Sequence, residues 1–127
     1  MVKDKNLAPI LKWVGGKRQL LHEIMPLIPK KVSTYVEPFV GGGAVLFEYQ
    51  PKKAIINDLN EELMNVYKVI KESPNELIEL LIIHQEKNSK EYFYEIRALD
   101  REENYINNLT NVERAARIIY LNKTCYN

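Results

Sequence analysis

The sequence is poor in cysteine, histidine and glycine, and it has no long apolar run. Its one cysteine, Cys125, excludes an internal disulfide framework and suits a reducing cytoplasm, where we expect the protein to reside. His22 and His84 have no cysteine or acid at ligand spacing, so no metal site is predicted. No apolar stretch approaches the roughly 20 residues of a membrane span, and no secretory signal is evident, so no membrane partner is expected.

The 127 residues carry a net charge of +1, which by itself gives no indication of a nucleic-acid partner. The charge is uneven, because residues 1–31 hold seven Lys or Arg against two acids and the remainder is acidic. A solvated surface is the simpler explanation of this asymmetry, and a DNA-facing edge is the alternative. With 46% hydrophobic residues, the chain fits one compact domain or part of a larger one.

Apolar periodicity predicts the order helix, strand, glycine loop, helix, strand, and then several helices. Two short runs of β-forming residues predict strands at 34–39 and 53–57. Helices are predicted over 16–29 and 44–49 and from Asn60 onwards. Further helices are predicted to begin at a capping box at 73–76, to lie around 92–99 and to begin at a second capping box at 110–113. Two parallel strands are too few for a stable sheet, so either the helices do most of the packing or strands are missing.

Three of the five glycines, Gly41, Gly42 and Gly43, stand side by side between the first predicted strand and the next helix. A glycine turn at this place lets a ligand approach the backbone, and the helix directs its free N–H groups towards that ligand. The dinucleotide pattern G-x-G-x-x-G is not met, because Leu46 occupies its last position, and no Walker A loop fits. The glycines therefore require no phosphate group in the ligand.

The second predicted strand ends at Asp58, and an acid at this tip is where such an architecture holds ribose hydroxyls. The carboxyl ends of both strands open on one edge of the sheet, where ligands of α/β folds bind. A nucleoside cofactor without an essential phosphate contact fits these features, and S-adenosylmethionine is such a cofactor. The structural alternative is a tight turn followed by an N-capping aspartate.

Four stretches, in order along the chain, carry a resemblance to one family. They are LKWVGGKRQLLHEIMPLIP (residues 11–29), YVEPFVGGG (35–43), INDLNEELMNVYKVIK (56–71) and AARIIYLNKTCYN (115–127). Together they resemble the D12 class of adenine-specific N6 DNA methyltransferases, of the type that methylates GATC. In that family the first two stretches are cofactor motifs and the third is the acidic ribose-binding motif. The fourth opens the target-recognition domain.

The resemblance implies an α/β fold, here a partial S-adenosylmethionine-dependent methyltransferase (Rossmann-like) fold, mainly helical with a short parallel strand pair. Residues 1–110 would be the N-terminal part of the cofactor-binding catalytic domain. Residues 111–127 would be the truncated start of the target-recognition, DNA-binding domain. The implied partners are duplex DNA and the C-terminal remainder of the enzyme.

The resemblance also assigns seven residues to the cofactor: Trp13, Lys17, Glu37, Phe39, Gly41, Gly43 and Asp58. It implies that Lys17 meets the cofactor's carboxylate as a point charge and that Glu37 meets its ammonium group. Asp58 would accept from the ribose hydroxyls, and the backbone of the glycine loop would pass along the methionine part. The structural alternatives are core packing for Trp13, a solvated charge for Lys17 and a structural ion pair for Glu37.

Three basic residues on the last predicted helix, Arg114, Arg117 and Lys123, would touch DNA phosphates if that helix leads into the recognition domain. Solvation of an ordinary helix surface is the alternative for all three.

The family's catalytic turn resembles Asp-Pro-Pro-Tyr, whose acceptors take hydrogen bonds from adenine N6 while its aromatic ring stacks on the flipped base. None of the six prolines here is adjacent to another, so the turn is absent and no catalytic residue is assigned. We therefore predict the cofactor-binding portion of an enzyme that methylates adenine N6 in duplex DNA, as in restriction–modification, and that is inactive alone.

Two other classes of function remain open at this point. A non-catalytic module that binds the cofactor or a partner chain, or one half of a split methyltransferase, would have the same motifs. A Rossmann-type nucleotide binder of another chemistry, such as an oxidoreductase, would share the glycine loop and the acid. Preference for NAD over S-adenosylmethionine would identify that second class.

Overall fold

The structure, a computed structural model, describes residues 3–124, so Cys125 lies outside the described residues. The chain divides into two compact units, Met1–Leu59 and Asn60–Asn127. This division does not coincide with the functional boundary predicted at residue 110. The part of the chain that the structure describes has no helix long and apolar enough to cross a membrane.

The first unit has a short helical segment followed by a strand, a helix and a second strand. Its elements are a 3-10 turn at Arg18–Leu20, α1 (Leu21–Ile24), a 3-10 turn at Met25–Leu27, β1 (Tyr35–Glu37), α2 (Ala44–Tyr49) and β2 (Ala54–Ile56). The predicted order is confirmed, and α2 has the predicted bounds. The strands are shorter than predicted, since the regular ladder pairs only Tyr35–Glu37 with Ala54–Ile56.

The two strands run parallel, with Val36 opposite Ile55 and Glu37 opposite Ile56. Successive side chains of a strand point to opposite faces, so Tyr35 and Glu37 share one face of β1 and Val36 lies on the other. Val36 and Ile55 are both exposed, which leaves that second face uncovered by the described residues of this unit. Within residues 3–124 the sheet has these two strands only, as the sequence predicted.

The second unit is helical. Its elements are α3 (Glu61–Glu72), α4 (Pro74–Lys87), α5 (Lys90–Ala98), a 3-10 turn at Leu99–Arg101, α6 (Tyr105–Asn108) and α7 (Asn111–Thr124). Helix α7 packs on α3, α4 and α5. The buried apolar side chains of this unit are Leu63, Val66, Val69, Leu77, Phe93, Ala115, Ala116, Ile119 and Tyr120. Residue 111 therefore begins the central helix of this unit.

Side-chain caps fix two of the predicted helix starts but not the third. The Asn60 side chain accepts from the Leu63 N–H at 3.0 Å. Thr110 and Glu113 form the predicted reciprocal capping box, with N–H to oxygen distances of 3.1 and 3.0 Å. Ser73 stands at the predicted N-cap of α4 but makes no side-chain cap bond, which corrects that part of the prediction.

An aromatic cluster around His84 joins α4, α5 and α7. The His84 ring stacks on the Tyr120 ring with centroids 5.0 Å apart, and its Nδ1 lies 2.6 Å from the Tyr92 hydroxyl. Burial, followed by the positive charge of Lys87, lowers the pKa of His84 below its ordinary value of 6.5. The folded protein therefore favours the neutral imidazole.

We predict that His84 makes the stability of the protein depend on pH near neutrality. Because its pKa is lowered on folding, the unfolded chain binds the proton more readily, so stability is lost as the pH falls below about 6.5. His84→Gln should reduce the loss of unfolding free energy between pH 7 and pH 5. Urea unfolding across this range measures it. His22→Gln is the matched control at an exposed histidine, and an equal reduction in both variants would contradict the prediction.

Candidate cofactor-binding site

The seven residues predicted to hold a cofactor all belong to the first unit, at the end of the sheet where β1 and β2 finish. Hydrogen bonds join Lys17 to Glu37 and to the Phe39 carbonyl, and join Gly41 to Asp58. Residues from three separate stretches of sequence are thus brought to one edge of a parallel sheet.

The chain's own N-terminal segment lies against the glycine loop. A Cβ on Gly42 would lie 2.8 Å from the Leu11 carbonyl oxygen and 3.4 Å from Trp13 Cβ. Gly41 and Gly43 have φ values of +53° and +83°, which L side chains rarely adopt. The clearance at Gly42 therefore serves Leu11 and Trp13, a requirement that the sequence reasoning, which considered only a ligand, missed.

Asp58 ties the end of β2 to the glycine loop. The Gly41 N–H donates to Asp58 Oδ2 at 3.1 Å. Two backbone bonds of 2.9 Å extend the pairing beyond the strands, from the Asn57 N–H to the Glu37 carbonyl and from the Val40 N–H to the Asn57 carbonyl. Asp58 is half-buried, so its carboxylate stands at the rim of the loop and not in the core.

Lys17 and Glu37 form an ion pair beside the glycine loop. Lys17 Nζ lies 3.2 Å from Glu37 Oε1, and the two side chains are 38% and 10% exposed. Lys17 also donates to the Phe39 carbonyl at 2.7 Å. A half-exposed ammonium and a nearly buried carboxylate are thereby held side by side at the mouth of the site.

Tyr35 is a third member of this group that sequence reasoning did not assign. Its hydroxyl donates to Glu37 Oε2 at 2.6 Å. Burial, followed by the hydrogen bond and charge of Glu37 and the charge of Tyr49, raises the pKa of the Tyr35 phenol well above its ordinary value. The sequence signal that could have identified Tyr35 is the two-residue period of a β-strand, which places residues 35 and 37 on one face.

The two predicted aromatic residues differ in exposure. Phe39 is among the exposed large hydrophobic residues of the chain. Trp13 is half-buried, and its ring atom Cδ1 lies 3.4 Å from the position of a Cβ on Gly41. Both side chains can therefore present apolar surface to a ligand at this edge of the sheet.

The donor set fits a nucleoside that carries an amino acid group. Lys17 and Glu37 are the charge complement of an α-carboxylate and an α-ammonium, and Asp58 is an acceptor of the kind that binds a ribose diol. Within residues 3–124, no three His, Cys, Asp or Glu side chains converge as a metal site would require.

Arg117, predicted to touch DNA, is instead buried in the second unit. Its side chain is 7% exposed and donates to the carbonyls of Ile96 and Arg97, at 2.9 and 2.8 Å, and to the Tyr105 hydroxyl at 3.2 Å. Those carbonyls end α5, where a cation is favourable. The burial of Arg117 corrects the predicted phosphate contact.

Arg114 is only partly buried, but contacts within the second unit engage it, which favours a structural role over the predicted phosphate contact. Its side chain is 12% exposed and pairs with Glu62 at 3.1 Å. Its other donors reach the Ile106 carbonyl and the Asn111 side chain. Lys123, by contrast, is exposed, so of the three basic residues it alone is available to a phosphate.

Comparison with protein families identifies one that matches. The model of the D12 class N6 adenine-specific DNA methyltransferases matches residues 13–127, which include Tyr35 and all seven residues predicted to hold a cofactor.

Three curated relatives illustrate the similarity. The type II methyltransferase M1.LlaDCHI of Lactococcus lactis subsp. cremoris is 52% identical over 96% of this chain and 43% of its own length. The type II methyltransferase M.MjaIII of Methanocaldococcus jannaschii is 44% identical over 96% and 47%. The DNA adenine methylase of Escherichia coli K12 is 34% identical over 97% and 42%. The chain thus spans less than half the length of these relatives.

We predict that Gly42→Ala destabilises the first unit by about 1–3 kcal/mol, because the new Cβ would press on the Leu11 carbonyl. The chain has one tryptophan, Trp13, which lies at this contact, so its fluorescence during urea unfolding reports the loss directly. Gly15→Asn is the control, since Gly15 has no atom within 4 Å of its Cβ position and asparagine tolerates the positive φ found there. Equal effects of both substitutions would refute the close contact.

Proposed function

This chain belongs to the D12 class N6 adenine-specific DNA methyltransferases, and we propose that it is the portion that binds S-adenosylmethionine. When bound, that cofactor would supply a methyl group on a sulfonium. The chain's residues would bind and orient it. Lys17 would hold its carboxylate, Glu37 its ammonium group and Asp58 its ribose hydroxyls. Trp13 and the loop from Phe39 to Gly43 would supply the surrounding surface.

The observation that carries this proposal is the Lys17–Glu37 pair beside the glycine loop. An ion pair between these two side chains can exchange for two ion pairs with a zwitterionic amino acid group, so no charge is left unpaired. A nicotinamide dinucleotide has no such group. The pair therefore supports S-adenosylmethionine over the oxidoreductase alternative. The G-x-G-x-x-G pattern that a dinucleotide would favour is also absent.

We further propose duplex DNA as the substrate of the whole enzyme, adenine N6 as the methyl acceptor and GATC as the target. The GATC target rests on the motif resemblance alone, and relatives named DNA adenine methylase support adenine as the acceptor base. Residues 111–127 would lead into the target-recognition domain. Lys123 remains our candidate for a phosphate contact, and Arg114 and Arg117 are withdrawn because both serve the fold. We place the enzyme in the cytoplasm, with its DNA.

The catalytic turn must come from outside these 127 residues, since the chain has no adjacent prolines. Transfer to adenine N6 needs acceptors for the amino group and an aromatic ring for the flipped base. We therefore propose that the C-terminal remainder of the enzyme supplies them, on the same chain or on a second one. The exposed Val36 and Ile55 side chains favour this, because a parallel sheet needs both faces covered. A non-catalytic cofactor-binding module is the alternative.

We predict that the chain binds S-adenosylmethionine in preference to NAD and that Asp58→Asn weakens this binding about tenfold. Asparagine keeps an acceptor for the Gly41 N–H but removes the charge that favours the ribose hydroxyls. Isothermal titration with each nucleotide measures both effects. Asp4→Asn is the matched control at an exposed aspartate of the same unit. Preference for NAD, or unchanged affinity in Asp58→Asn, would overturn the cofactor or the ribose assignment respectively.

We also predict that the chain alone transfers no methyl group to a duplex that contains GATC sites. The measurement is incorporation of tritiated methyl groups into DNA, with a complete methyltransferase of the family as the positive control. Incorporation by this chain alone would disprove its dependence on an external catalytic turn. Activity that appears only when a second chain with an Asp-Pro-Pro-Tyr turn is added would favour a split enzyme over a non-catalytic module.

A further inference from the structure

We propose that Tyr35 is a positioning residue, which holds the Glu37 carboxylate in place for the ammonium group of the cofactor. This inference rests on the proposed function, since it concerns the amino acid end of S-adenosylmethionine. It adds a residue to the site that none of the four motif resemblances assigned.

The two oxygens of Glu37 have different partners. Oε2 accepts from the Tyr35 hydroxyl at 2.6 Å, and Oε1 accepts from Lys17 Nζ at 3.2 Å. Tyr35 and Glu37 project from the same face of β1, two residues apart, so the backbone itself fixes the short contact. The Lys17 side chain is long and 38% exposed, so Oε1 is the oxygen that can change its partner.

The Tyr35 ring is itself held in place. It stacks on the Tyr49 ring of α2, with centroids 5.6 Å apart and planes inclined by 29°. The Tyr49 hydroxyl in turn donates to the Pro29 carbonyl at 2.5 Å. A rigid strand and a stacked ring therefore orient the hydroxyl, and the raised pKa of Tyr35 keeps it protonated as a donor.

This arrangement lets Glu37 exchange one cation for another while its orientation stays fixed. Lys17 also donates to the Phe39 carbonyl, 2.7 Å away. While it keeps this bond, its ammonium group can turn from Glu37 towards the carboxylate of the cofactor. Glu37 Oε1 then receives the ammonium group, and Oε2 remains with Tyr35. Without the Tyr35 hydroxyl, the Glu37 carboxylate would lose one of its two hydrogen-bond partners. Ordering this carboxylate on binding would then reduce the affinity for the cofactor.

The test compares two nucleosides, of which only S-adenosylmethionine has the amino acid end and, with it, a positively charged sulfur. S-adenosylmethionine has that end, and 5′-methylthioadenosine lacks it while keeping the adenosine and the sulfur. Titrated into the 127-residue chain, Tyr35→Phe should raise the Kd for S-adenosylmethionine about tenfold. It should leave the Kd for 5′-methylthioadenosine within twofold, because the ring and its stacking remain. A loosened fold would weaken both ligands alike, and that result would overturn the proposal, as would unchanged affinity for both.

Two controls separate positioning from other effects. Tyr49→Phe removes the bond to the Pro29 carbonyl but keeps the stack, so it should preserve the preference for S-adenosylmethionine over 5′-methylthioadenosine. In a Glu37→Gln background, Tyr35→Phe should cause little further loss, since the carboxylate that it positions is gone; a full additional tenfold loss there would also contradict the proposal. If the unsubstituted chain bound neither nucleoside, the proposed function itself would fail and this inference with it.

Discussion

The contact between the Leu11 carbonyl and Gly42 is the constraint on which the first unit depends. A carbonyl oxygen 2.8 Å from the place of a Cβ leaves room for glycine alone. This approach carries the N-terminal segment across the end of the sheet, and Gly15 at φ +76° then turns the chain. Lys17 consequently stands next to Glu37, although 20 residues separate them in sequence. The charged mouth of the site is thus a consequence of backbone packing at the loop.

Stability alone does not account for the nearly buried carboxylate of Glu37. Desolvating a carboxylate is costly, and an ion pair with a half-exposed lysine returns little of that free energy. The Tyr35 hydroxyl offsets more of it, because a hydrogen bond to a buried anion is strong. The proposal that Glu37 meets the ammonium group of a ligand accounts for this buried charge, whose two polar partners include one that can be exchanged.

The sequence predicted the helix caps correctly where one helix begins at the residue, and wrongly where the same residue also ends another helix. Asn60 and Thr110 each precede one helix and end no other, and each side chain caps its helix. Ser73 ends α3, with its N–H bonded to the Val69 carbonyl, and begins α4. Its φ of −138° and ψ of 50° are not the extended values that an N-cap needs, so its hydroxyl makes no cap bond. Such a shared residue cannot be recognised from the capping pattern.

The site shows the same limit, because sequence orders residues along a chain but does not say which atoms meet. The resemblance brought Lys17, Glu37 and Asp58 to one site, yet nothing in it indicated that Oε2 of Glu37 would face a tyrosine. Charge is an equally poor guide on α7, where the charged Arg117 is buried, as is the apolar Ile119 two residues later. The Arg117 guanidinium donates to two carbonyls of the last turn of α5, where a cation interacts favourably with the helix dipole. Basic residues on a helix can therefore be considered for a DNA surface only once packing has left them exposed, and of Arg114, Arg117 and Lys123 only Lys123 is classed as exposed.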